Sequence, residues 1–198
     1  MEFSRSALEE NLRTLANEDA IVDVRCDAYG HGAQWVHDAA RDAGLSAFLT
    51  DDDPLAPVPQ STAVLYGISA GRRVAVLSGE IVAIKSVASG DTVSYGNTWA
   101  ATRASTLALV SLGFADGLPR GGSNVGLMTV GAHTVPVVGR IAMDQCVLDI
   151  TDISDEVSAV ARVWDSAQSV ETWATASRRD PLSLVSGLSW RVERRWTS

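Results

Sequence analysis

Covalent catalysis through an amine has one candidate here, because fifteen of the sixteen basic residues are arginine and Lys85 is the sole lysine. Guanidinium stays protonated and delocalised at accessible pH, so arginine offers no free amine for imine formation. Lys85 lies in a β-rich run, residues 81–87, and reads as an exposed strand lysine. Cys26 and Cys146 are far apart in sequence and make no metal-ligand spacing. Cys146 sits among apolar neighbours and reads as a small core residue. Cys26 follows Arg25, but nothing close in sequence completes a nucleophilic pair. His31, within Tyr29-Gly30-His31-Gly32, reads as a turn residue ahead of a helix. Asp51-Asp52-Asp53 lacks the glycine turn of a calcium loop and reads as a solvated junction.

The 198 residues carry a net charge of −8, with 46% hydrophobic and 20% charged side chains. That is ordinary for a soluble globular protein and offers no basic stripe for a nucleic-acid backbone. No apolar run is long enough to span a bilayer, and Met1-Glu2-Phe3-Ser4-Arg5 lacks the apolar region of a signal peptide. The expectation is a cytoplasmic protein without nucleic-acid or membrane partners.

The positioning elements fall into two textures. Residues 4–17 place Leu8, Leu12 and Leu15 on one helical face, with Ser6-x-x-Glu9 as a capping box. A strand over 21–25, a helix over 33–43 and a short strand over 45–49 follow, in α-β-α-β order. Residues 51–59 then pack three prolines and three aspartates together, which marks a junction. Beyond it the expected elements are strands at 74–77, 81–87, 91–95, 105–113, 127–130, 134–143 and 146–150. Helices return at 170–177 and 182–188. This spacing favours a compact β-barrel or sandwich with peripheral helices.

Five segments resemble, in order, the motifs of the alanine racemase family. They are Val24-Arg25-Cys26-Asp27-Ala28-Tyr29-Gly30-His31-Gly32-Ala33, Asp91-Thr92-Val93-Ser94-Tyr95-Gly96-Asn97-Thr98-Trp99, Gly113-Phe114-Ala115-Asp116-Gly117-Leu118-Pro119-Arg120, Val138-Gly139-Arg140-Ile141-Ala142-Met143-Asp144-Gln145, and Ser186-Gly187-Leu188-Ser189-Trp190-Arg191-Val192-Glu193-Arg194. The resemblance implies a pyridoxal-phosphate (PLP) enzyme interconverting L- and D-alanine. It also implies an N-terminal (β/α)8 barrel, a C-terminal β-domain and a dimer in which each β-domain completes its neighbour's site.

Carried over residue by residue, the resemblance identifies losses as well as matches. The lysine that holds PLP in the family's first motif is Arg25 here. The acid/base tyrosine of Gly-Tyr-x-Asp-Gly is Phe114, which has no proton to exchange. A tyrosine that contacts the cofactor phosphate, upstream of the terminal arginine motif, aligns with Leu182. Tyr29 matches another phosphate-contacting tyrosine, Met143 and Asp144 match the pair lent to the neighbouring site, and Arg140 matches a residue on the substrate access path.

A complete barrel takes roughly 250 residues, so only its beginning finds a counterpart before the β-domain. The expected fold is a mainly β C-terminal domain, residues 63–198, after a truncated α/β barrel remnant, 1–53, and a Pro-rich junction, 54–62. The expected function is binding or assembly without catalysis by the chain alone, so no catalytic residue, cofactor or metal is expected. Its partner would be a second copy or a full-length racemase. The alternative is a PLP-dependent racemase in a hetero-assembly that supplies the missing lysine and barrel. A half-built barrel leaves the faces Leu8/Leu12/Leu15 and Val36/Ala40/Ala43 without cover; either the remnant folds back on its own β-domain or a second chain covers it, and the second chain is the favoured expectation.

Overall fold

A computed structural model describes residues 1–18, 20–68, 70–165 and 169–198. In chain order the elements are β1 (Glu2–Ser4), α1 (Arg5–Ala16), β2 (Val22–Asp23), α2 (Arg25–Gly30), α3 (Ala33–Asp42), β3 (Phe48–Leu49), α4 (Gln60–Leu65) and β4 (Ala75–Val87). There follow β5 (Thr92–Val93), β6 (Trp99–Ala100), β7 (Ser105–Val110), β8 (Leu127–Val130), β9 (His133–Pro136), β10 (Cys146–Asp149) and β11 (Val160–Trp164). The chain ends with α5 (Val170–Ser177), α6 (Pro181–Ser186) and β12 (Arg195–Thr197). These elements form two compact units, the first from Met1–Val76, Pro181–Gly187 and Glu193–Ser198, the second from Leu77–Asp180 and Leu188–Val192.

In the first unit β2 and β3 pair in parallel, Val22 with Phe48 and Asp23 with Leu49. Among the described residues the parallel pairs are this one and β1 with β12, so no (β/α)8 barrel closes. Helix α1 begins where the Ser4 hydroxyl accepts the Ala7 N–H, a side-chain N-cap. The cap is therefore Ser4 and not the Ser6 of the expected capping box. Strand β1 runs parallel to β12 and antiparallel to the first residues of β4. The expectation that a second chain covers the helix faces is corrected here. Leu8, Leu12, Leu15, Val36 and Ala40 are all buried within this chain, and Ala43 is half-buried. Helix α1 packs on both α3 and α4, so the apolar faces meet one another. Asn11, buried on α1, donates to Leu65 O and Arg72 O and accepts the Arg72 N–H, satisfying the turn after α4.

The second unit is an antiparallel sheet in the order β10-β7-β4-β11-β8-β9. Val137 bridges to Leu148 and the Val138 N–H donates to Val147 O, which brings the chain after β9 back towards β10. The two strands expected at 74–77 and 81–87 are one strand, β4, with a bulge between Ile81 and Ala83. Gly79 lies inside it because a Cβ there would stand 2.8 Å from Val110 Cγ1. The strand expected over 134–143 ends at Pro136, and the one over 91–95 shrinks to Thr92–Val93. Strand β11, unmarked in the sequence reading, lies between β4 and β8 with Ala161, Val163 and Trp164 buried. Trp173 packs close to Gly122 and Gly126 and donates its indole N–H to Leu127 O.

Candidate functional site

In the first unit the chain leaves β2 at Asp23 and turns back on itself. Cys26, Asp27, Ala28 and Tyr29 all have φ between 53° and 56°, a left-handed turn built without glycine. Such a conformation costs roughly 1–2 kcal/mol per residue, so the surroundings must hold it. Ala28 N–H donates to Val24 O at 2.9 Å, Gly32 N–H to Asp27 O at 3.0 Å and Ala33 N–H to Asp27 Oδ1 at 2.8 Å. Arg25 was expected at a strand end and instead starts this turn, because the backbone changes hand directly after it.

Arg25 is buried and faces Asp23. Its Nε donates to Asp23 Oδ1 at 2.8 Å and its Nη2 to Asp23 Oδ2 at 2.5 Å. The Tyr29 hydroxyl donates to the same Oδ2 at 2.8 Å, and the Tyr66 hydroxyl to the Asp23 carbonyl at 2.6 Å. Burial works against the charged Asp23, but the hydrogen bonds from Arg25 and Tyr29 override it and hold the carboxyl below its usual range. The bond to Asp23 pushes the Arg25 guanidinium further up. Burial, with Asp23 beside it, pushes the Tyr29 phenol to about 12. Arg25 therefore remains a cation and Tyr29 a neutral donor at any physiological pH.

His31 is buried between Phe3 and Tyr66, with ring centroids 4.8 Å and 4.5 Å away. Its Nδ1 stands 2.8 Å from Ala28 O, while Nε2 has no hydrogen-bond partner among the described residues. Burial lowers its pKa to about 4, so the ring is neutral and Nδ1 is the donor. Leu182 is half-buried on α6, the helix that packs against α2. A cavity of about 530 Å³ in this unit is lined by Arg5, Glu9, Arg13, Trp35, Asp38 and Asp42 among others, and none of the residues matched to the family's site lines it.

The second unit brings together Phe114, Met143 and Asp144. Phe114 N–H donates to Ala142 O at 2.9 Å and Ala115 N–H to Met143 O at 2.7 Å. Gly113 permits this approach, since a Cβ there would lie 2.5 Å from both Gln145 N and Met143 O. Phe114 is 48% exposed and Met143 58%, so both present apolar surface to solvent. Arg191, from the chain's last loop in this unit, joins Asp116 at 3.3 Å and Asp144 at 2.9 Å. Trp190 beside it is 89% exposed. Arg140 lies instead near Gly96, its backbone N–H donating to Ser94 Oγ at 2.7 Å. Asp23 and Tyr66 were not picked out in the sequence and Asp116 entered only as part of a motif, although Asp23 and Arg25, two residues apart in a stretch read as a strand, share a face there.

No group of three or more His, Cys, Asp or Glu side chains among the described residues could hold a metal. Cys146 is buried and its thiol is pushed up to about 12 by burial, which makes it inert. No helix among the described residues is long and apolar enough to cross a membrane.

The profile of the alanine racemase C-terminal domain matches residues 74–196. Alanine racemase of Vesicomyosocius okutanii is 28% identical over 192 residues, covering 96% of this chain and 49% of that protein. The enzyme of Cutibacterium acnes is 35% identical over 118 residues, covering 57% of this chain and 32% of its own. The chain thus spans about half, or less, of the length of these curated relatives. Among solved structures, alanine racemase from Bartonella henselae with covalently bound pyridoxal phosphate superposes with a TM-score of 0.85 at 17% identity, covering 99% of this chain and 98% of that one. The structure from E. faecalis gives 0.82 at 14% identity, covering 99% and 97%. At such identities the likeness is one of fold.

Proposed function

This chain belongs to the alanine racemase family, whose C-terminal domain it carries, and from that premise we propose that it binds another protein chain and does not racemise alanine by itself. One observation carries the reading. At the position that the resemblance gives to the PLP-bearing lysine stands a buried guanidinium, spent on Asp23. The other residues also fit PLP poorly. The Tyr29 hydroxyl is committed to Asp23 and not to a phosphate, Leu182 has no hydroxyl, and Phe114 carries no exchangeable proton. No step of a PLP reaction can be built on these side chains.

The binding side of the proposal rests on the second unit. Phe114 and Met143 present apolar surface next to an ion-paired rim of Arg191, Asp116 and Asp144. Aromatic, Met and Arg side chains are enriched in protein interfaces. The partner is a second copy or a full-length racemase, and the kinship boundaries 1–53, 54–62 and 63–198 belong to the same reading.

Borohydride reduction of the protein mixed with PLP, followed by mass spectrometry, tests the catalytic half. No pyridoxyl adduct is expected. A stoichiometric adduct on Lys85 would overturn it. Light scattering at micromolar concentration, alone and with a full-length racemase, tests the binding half, which fails if the chain stays monomeric in both. The rival reading, a racemase completed in a hetero-assembly, predicts extra turnover in the mixture.

A further inference from the structure

We infer that Arg25 is a clasp, holding residues 51–56 as a strap across the left-handed turn. A buried arginine bonded to one carboxylate would leave part of its fork idle. Here the remaining Nη1 donates to Asp53 O at 3.2 Å and to Ala56 O at 2.7 Å. A second tie lies beside it, where the Cys26 N–H donates to Asp51 Oδ1 at 2.9 Å. The strap is itself turned, with Asp53 N–H on Thr50 O and Ala56 N–H on Asp53 O. The Asp53 and Ala56 carbonyls thus both accept from the same guanidinium nitrogen.

The geometry needs a guanidinium. Its donors lie in a rigid planar fork, so one edge takes the carboxylate while the third nitrogen reaches two carbonyls on another segment. A lysine ammonium is a point charge on a single nitrogen. It could satisfy Asp23 or the strap, but not both at these spacings. In this chain the residue at the cofactor-lysine position therefore serves closure: it fastens the junction after β3 over the very turn that the resemblance links to PLP. Asp23 is the pivot, since it also takes the Tyr29 hydroxyl that steadies the turn.

Hydrogen exchange of the whole chain, read by mass spectrometry on peptides spanning residues 50–58, tests the clasp. Arg25→Lys is expected to speed exchange there at least about tenfold, because exchange tracks the population of the opened segment, and to lower Tm by about 10 °C. Unchanged protection of the strap in that variant would overturn the inference. Removing one member of a buried pair can abolish folding, so the matched variant Asp23→Leu with Arg25→Met keeps the test decisive. It leaves no orphan charge and is expected to fold, yet its strap should exchange as fast as in Arg25→Lys. A folded double variant with a protected strap would show that Arg25 holds only Asp23. The result is independent of the functional proposal, which is read on the unsubstituted chain by its lack of a pyridoxyl adduct.

Discussion

Trp35 stacks on Trp196 with ring centroids 3.7 Å apart and planes at 27°. The pair joins α3 to β12, and Arg5 lies over the Trp35 ring at 5.4 Å. Phe3 also packs on Trp196, with ring centroids 4.9 Å apart. Replacing Trp196 with alanine removes both ring contacts and half-buried apolar area. The expected loss is about 2 kcal/mol, measured as a lower urea midpoint by far-UV circular dichroism, which does not depend on the missing indole.

Acid should destabilise the first unit through His31. Its pKa is near 6.5 when unfolded and about 4 when folded, so the neutral ring is favoured by folding. That contribution is complete above pH 6.5 and is lost as pH falls from 6.5 towards 4, at most about 3 kcal/mol. Asp23, whose folded pKa is lowered, adds its own loss only below that window. Asp27 and Arg194 act on His31 with opposite signs. His31→Phe should flatten the stability profile between pH 6.5 and 4; an unchanged slope would place the titration elsewhere.

Asp116 should matter more than the arginine paired with it. Its carboxylate accepts the buried Gly113 N–H at 2.8 Å as well as Arg191. Asp116→Ala leaves that N–H unsatisfied and is expected to cost about 2 kcal/mol. Arg191 is 44% exposed, so Arg191→Ala should cost about 0.5 kcal/mol. Thermal melts of the two variants give the comparison, and equal losses would contradict it.

Gly113→Ala is expected to separate the Phe114 and Met143 loops. The added methyl would meet backbone atoms of Met143 and Gln145, which cannot swing aside as a side-chain tip can. Overpacking of this kind costs about 1–3 kcal/mol. Faster amide exchange at Phe114 and Ala115 is the local signature.

Restoring an amine and a phenol should not restore racemisation. Arg25→Lys with Phe114→Tyr returns two functional groups without the barrel that would orient them. Positioning supplies about 7–11 kcal/mol of a barrier, so a D-amino-acid-oxidase-coupled assay should stay at background on folded material. Robust turnover would refute the claim.

How much of this was legible beforehand follows from how locally each feature is encoded. Helices α1 and α3 announced themselves through Leu8/Leu12/Leu15 and Val36/Ala40, which repeat at helical spacing. Strand β11 did not, because five residues with Arg162 in the middle carry too little alternation to stand out. The left-handed turn had no marker, since Cys26-Asp27-Ala28-Tyr29 contains no glycine to flag positive φ. Motif order supplied Arg25, Phe114 and Met143-Asp144 as positions, but not their partners. The strap carbonyls at Asp53 and Ala56, and the reach of Arg191 to Asp116, are long-range backbone and loop contacts that no local pattern encodes.

The first unit pairs strand β1, Glu2–Ser4, with strand β12, Arg195–Thr197, two segments separated by all the other elements described. During ribosomal synthesis, which proceeds from the N-terminus, α1, α3 and the clasped turn all emerge before the chain that completes them. The residues of the second unit up to Asp180 are all made before α6 and β12 appear. Its sheet can form early, whereas Phe3 and Trp35 wait, uncovered by Trp196, until β12 has been made. Pairings this distant in sequence are slow to form. The interval is therefore the period when nascent chains are most exposed to chaperone capture or to pairing with one another.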